Sequence, residues 1–303
     1  MSFLTSGDGI LTMNLWPLAE KDRLLKIASP TRSWEIFPTN IESMVEWAEV
    51  IKDTNVRSKY RNKIVVYKEL SNGVGNIVYP VSVRLNGYIR NIDVGRLGDW
   101  DGKPENVHAA SQTISLESNG CAEAWNSTLE CLNLMAYFMS RTMNIPLERE
   151  KPFFRNLVLQ RKVFYRSKRE EAVTVPRSDD PNGLLQFLPN EWDLNEDLPI
   201  GQQLNDGSIK RYNRILLSTG DFVEVCASFD IVISRQSTFP RTSLKLFLCM
   251  SQILSIIRAP LSLEMKDSRG IKRNAGDAMI DAAPVIKKRP NEMVFSKTGH
   301  VVE

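Results

Sequence analysis

The residues of this chain best suited to chemistry are cationic and aromatic rather than catalytic. Arg161, Lys162, Phe164, Tyr165, Arg166, Lys168 and Arg169 fall within nine consecutive positions, placing five basic groups around two rings. Lysine and arginine neutralise phosphates, while an aromatic ring stacks on an unpaired base or wedges into a lipid interface. Such a run therefore suits RNA, a nucleocapsid or an anionic membrane. Lys151 and Arg155 lie just upstream and extend the patch. Glu148, Glu150, Glu170 and Glu171 flank it, so the same residues also read as a solvated strand end with balanced charge.

A second basic set, Lys272 and Arg273 followed by Lys287, Lys288 and Arg289, is separated by 13 residues. An extended chain can place such clusters into two acidic pockets of a nuclear import carrier, whereas a plain solubilising tail would need no pairing. Pro284 and Pro290 oppose a helix there. The formal charge of +3 agrees with this division. Eight of the 39 Lys+Arg and five of the 36 Asp+Glu lie in 266–303, so the rest of the chain is neutral overall. A uniformly basic nucleic-acid coat is excluded, but local patches are not.

Catalytic and metal chemistry have little material. There are only two histidines, His108 and His300, too few for a zinc site or a histidine-based triad. Cys121, Cys131, Cys226 and Cys249 show no metal-type pairing and sit in apolar surroundings, so they read as reduced core residues. Gly73-Val74-Gly75 lacks the third glycine of a dinucleotide fingerprint, and no P-loop or nucleophile elbow is present. Asp99-Trp100-Asp101-Gly102 fails as a calcium loop because Leu97 and His108 occupy its ligand positions. No enzyme activity, cofactor or metal is expected. Trp100 and Trp192 read as partner anchors or as residues folded back on their own domains. Tyr67-Lys68-Glu69-Leu70 has the form of a budding or sorting signal, yet its strand-like setting predicts simple packing.

The elements that must position these residues follow from periodicity. Thr39 with Glu42 predicts a capped amphipathic helix reaching about Ile51. Residues 64–67, 77–85 and 88–94 predict an antiparallel meander with turns at Ser71-Asn72-Gly73 and Asn86-Gly87, and 107–116 predicts a further strand. Residues 122–143 carry Leu129, Leu132, Ala136, Met139 and Met143 on one helical face. Residues 153–165 predict a strand, 176–207 an irregular connection, and 209–218 and 222–234 two more strands. Pro240 then opens a second apolar helix reaching Ile257. A shift of 114 residues superposes Thr128 on Thr242, Leu132 on Leu246 and Pro146-Leu147 on Pro260-Leu261.

The expected fold is α+β and mainly β, with two tandem antiparallel β-rich domains, 1–150 and 151–265, each packed with an apolar helix. A flexible basic tail, 266–303, follows. Residues 1–18 lack the charge and apolar core of a secretory signal, and no apolar run reaches about 18 residues. The expected location is cytoplasmic, with nuclear access and peripheral membrane contact.

Two such domains with a basic-aromatic patch near their junction resemble, over residues 60–265, the matrix proteins of negative-strand RNA viruses. That resemblance implies a non-enzymatic, self-associating assembly protein contacting anionic membrane or ribonucleoprotein. Leu204-Asn205-Asp206 followed by Gly270 also resembles the Leu-x-Asp…Gly spacing of plant-virus movement proteins. The alternative it implies is a protein that binds single-stranded RNA for cell-to-cell transport.

Overall fold

The computed structural model describes residues 1–27, 29–53, 63–71, 77–167, 173–235 and 242–260. In chain order they form β1 (Ser2–Phe3), α1 (Leu18–Ile27), α2 (Ile41–Trp47), β2 (Ala48–Lys52), β3 (Lys63–Tyr67), α3 (Lys68–Ser71), β4 (Ser82–Asp93) and β5 (Ser111–Glu117). After these come α4 (Ala122–Met143), β6 (Leu157–Lys162), β7 (Phe164–Arg166), β8 (Trp192–Leu194), β9 (Ile200–Gln203), β10 (Ile209–Arg211), β11 (Phe222–Arg235) and β12 (Thr242–Ile257). The fold is mixed α/β with more strand than helix, as expected.

Side-chain alternation decides which way each strand faces. In β5, Ile114 and Leu116 are fully buried while Thr113, Ser115 and Glu117 are half-exposed. β6 follows the same rule, with Leu157 and Leu159 buried and Val158 61% exposed between them. Pairing then joins β4 to β5, β5 to β6, β12 to β11 and β11 back to β4, all antiparallel, with a parallel step from β6 to β12. Five strands thus close a ring, β4-β5-β6-β12-β11-β4. Numbered by appearance, their order is one, two, three, five, four, one, which is the connectivity of the OB-fold, a five-stranded Greek-key barrel. α4 is inserted between the second and third strands of the ring. β1 adds to β4 in parallel, and β9 with β10 extends from β12.

Several sequence expectations change. β4 runs straight through Asn86-Gly87, where a turn was expected. A Cβ on Gly87 would lie 2.9 Å from Cζ3 of Trp125 and 3.2 Å from Cβ of Leu116, so the glycine serves close approach of α4 to the strand. The expected second apolar helix is the strand β12. Leu244, Leu246, Leu248 and Met250 are buried and Lys245, Phe247 and Cys249 are half-exposed, a period of two that outweighs the helical reading. The 114-residue shift therefore superposes a helix on a strand and describes no repeat. Strands from either side of residue 150 share the ring, and its main core draws on residues from Phe3 to Ile256, so the two expected domains hold one sheet and one core in common.

α4 spans the expected 122–143. It buries Trp125, Cys131, Leu132, Met135, Ala136 and Met139 and ends at Asn144, whose left-handed conformation (φ 53°) terminates the helix before Pro146. The cap of α2 is Asn40 rather than Thr39, its side chain accepting from the Ser43 amide at 2.9 Å. Tyr67 is buried, its hydroxyl donating to the Ser82 carbonyl at 2.9 Å, which fits packing rather than a sorting signal.

Candidate nucleic-acid interface

The third ring strand, β6, turns its outer face to solvent at Val158, with half-exposed residues around it. Its outward residues Val158, Gln160 and Lys162 stand opposite Ser115, Thr113 and Ser111 of β5, and Gln160 also neighbours Cys249 of β12. The centre of this face, Thr113, Ser115, Val158, Gln160, Phe247 and Cys249, contains no formal charge. Six residues at about 3.3 Å each make the strand roughly 20 Å long. Charge and aromatic surface collect at its two ends.

At the start of β6, α4 fixes the approach of the chain. Asn133 holds Phe153 through both backbone groups, donating to its carbonyl at 2.8 Å and accepting from its amide at 3.1 Å. Phe153 is buried and its neighbour Phe154 is turned outward, 50% exposed. The guanidinium of Arg149 lies 6.0 Å from the centre of the Phe154 ring. Arg155 adopts φ 56°, its carbonyl accepting from the indole Nε1 of Trp125, and its side chain is exposed, as is that of Lys151.

At the far end, the basic-aromatic run divides between internal and external work. Arg161 donates to the Glu196 carbonyl at 2.8 Å and to Gln112 Oε1 at 3.4 Å, and burial holds its guanidinium below the ordinary value. Lys162 donates to the Ala109 carbonyl at 3.0 Å. Phe164 is buried edge-on against Trp100 at 4.8 Å, within a small second core that includes Leu97, Val107, Val163, Leu185, Leu188 and Leu194. Trp100 thus folds back on its own chain.

Tyr165 and Arg166 remain exposed. The Tyr165 hydroxyl donates to Asp193 Oδ2 at 3.1 Å, and burial together with that carboxylate raises its pKa. Arg166 lies over Trp192, 5.3 Å from the ring centre. Of the residues expected to bind phosphate, Lys151, Arg155, Tyr165 and Arg166 therefore reach solvent, whereas Arg161, Lys162 and Phe164 are engaged within the fold. Lys168 and Arg169 lie outside the described residues, as do Lys272, Arg273, Lys287, Lys288 and Arg289.

Arg149 and Phe154 join the site without having been anticipated. Their signal was present in the sequence as an unpaired aromatic doublet, Phe153-Phe154, set among Arg149, Lys151 and Arg155. Leu204-Asn205-Asp206 forms an ordinary turn in which Asp206 Oδ1 accepts from the Ser208 amide at 2.9 Å, and Gly270 lies outside the described residues. All four cysteines are free thiols. Among the described residues, no cluster of three or more His, Cys, Asp or Glu is placed to hold a metal, and no helix is long and apolar enough to cross a membrane.

No protein-family model matches the chain, and no curated protein matches its sequence. Among solved structures, it is similar to gp2.5, a single-stranded DNA binding protein encoded by bacteriophage T7. That match has a TM-score of 0.34 and 10% identity, over 64% of this chain and 99% of that one. It is also similar to the single-stranded DNA-binding protein from bacteriophage Enc34 in complex with ssDNA, with a TM-score of 0.27 and 9% identity, over 70% of this chain and 97% of that one.

Proposed function

We propose that this chain is a non-enzymatic protein that binds single-stranded nucleic acid across the outer face of β5 and β6. The carrying observation is the arrangement along β6: a face whose centre carries no formal charge, with an exposed cation and an exposed aromatic ring at each end, Arg149 with Phe154 and Arg166 with Tyr165. Bases stack on rings whatever their identity, and cations beside the rings follow the phosphates, so this arrangement favours unpaired strands and little sequence preference. The second and third strands are also where five-stranded Greek-key barrels commonly hold oligonucleotides, which supports the reading by analogy of fold.

Binding of uridine and deoxythymidine oligomers, followed by fluorescence anisotropy at two salt concentrations, tests the proposal. Single strands are expected to bind, more weakly as salt rises, and to outcompete duplex of equal length. Failure to bind either oligomer would overturn it. Flotation with anionic liposomes without oligonucleotide binding would instead support the matrix-type role.

A further inference from the structure

Beyond the end of β6, arginines from separate parts of the chain gather around one open carboxylate. Arg96, in the β4–β5 connection, places Nε 3.1 Å from Asp197 Oδ1. Arg214 Nη1 lies 4.0 Å from the same oxygen, and Arg211 Nη2 lies 3.8 Å from Oδ2. Arg161 stands beside them, anchored to the carbonyl of Glu196. Four arginines thus face three carboxylates, Asp179, Glu196 and Asp197, with Arg214 also paired to Asp179. The Arg96 side chain is 12% exposed while Asp197 is 52% exposed, so the cation is held from behind and its anion is open to solvent.

Asp197 satisfies this group poorly. Only Arg96 is within hydrogen-bond reach, because 3.8 and 4.0 Å are too long for the other two. Burial holds both Arg96 and Arg161 below the ordinary guanidinium value. At Arg96 the Asp197 carboxylate opposes this and Arg214 adds to it, and at Arg161 Arg96 adds to it against Glu196 and Asp197, so like charges crowd the group. A carboxylate offers two oxygens and one charge. A terminal phosphate offers three non-bridging oxygens and up to two charges, and guanidinium forks match its edges. An internal phosphodiester has only two such oxygens and suits the cluster less well.

We propose that Arg96, Arg211 and Arg214 form a phosphoryl-group subsite in which the terminal phosphate of a bound strand displaces the Asp197 carboxylate. The strand-end assignment rests on the nucleic-acid reading above, since the subsite adjoins the end of β6 where Asn195 bonds the Lys162 carbonyl at 2.7 Å. Free phosphate carries the same chemistry.

The test compares 5′-phosphorylated, 3′-phosphorylated and unphosphorylated oligonucleotides of one sequence, with inorganic phosphate followed separately by thermal shift. One phosphorylated end is expected to bind about tenfold more tightly than the bare strand. Asp197→Asn should widen that ratio, and Arg211→Gln, at a side chain 73% exposed, should narrow it. Equal affinity for all three strands, in the native chain and in both variants, overturns the subsite while leaving the groove intact. If no strand binds, the groove reading fails and phosphate decides the subsite alone. A rise in melting temperature that is larger in Asp197→Asn then assigns it to free phosphate, and no rise overturns it.

Discussion

Arg84 and Glu224 meet across β4 and β11 at 2.7 Å, with side chains 8% and 5% exposed, and the Phe3 ring lies over the guanidinium at 4.5 Å. Removing one partner strands the other charge in an interior that cannot solvate it. Glu224→Ala is therefore expected to lower stability by about 3–5 kcal/mol, whereas the double change Arg84→Met with Glu224→Leu costs much less; urea midpoints measure both. Titration gives a second residue-level expectation. Burial raises the pKa of Cys131 and Cys226 from 9.0 to about 12 and that of Tyr67 from 10.0 to about 12. Above roughly pH 9 the unfolded chain loses these protons while the folded chain keeps them. Stability is therefore fully present below that pH and falls as pH rises towards 12, which thermal melts from pH 8 to 11 will register.

Single elements carry the next expectations. Phe154→Ala, at the exposed start of β6, should weaken oligonucleotide binding by about 1–3 kcal/mol in anisotropy titrations with little change in melting temperature. Gly87→Ala in β4 forces its new methyl towards Trp125 and Leu116, so a loss of about 1–3 kcal/mol is expected by chemical denaturation. The helix α4 was legible from sequence because its three-four spacing is long and Pro146 closes it. β12 was not, because its apolar run from Leu244 satisfies helix and strand periods together, and only pairing with β11 and β6 decides between them. The basic run at 161–166 was legible as charge but not as exposure. Nothing local announces that the carbonyls of Ala109 and Glu196 come from distant segments to hold Lys162 and Arg161.

At the scale of the molecule, ring closure depends on strands drawn from both ends of the described chain. Neither 1–150 nor 151–265 holds all five, since β4 and β5 lie in the first and β6, β11 and β12 in the second. Each fragment alone is expected to lack cooperative unfolding by circular dichroism, while the full chain unfolds with one main transition. The pairing of β4 with β11 also has a consequence for biosynthesis. Arg84 and Glu224 are 140 residues apart in sequence. A ribosome adding about 5–20 residues per second delivers the second some 7–28 s after the first. Throughout that interval the emerging chain carries an unmatched arginine and an unfilled strand edge. The period before β11 emerges is therefore when a holding chaperone would act, and when misassociation between neighbouring nascent chains would compete with the native closure.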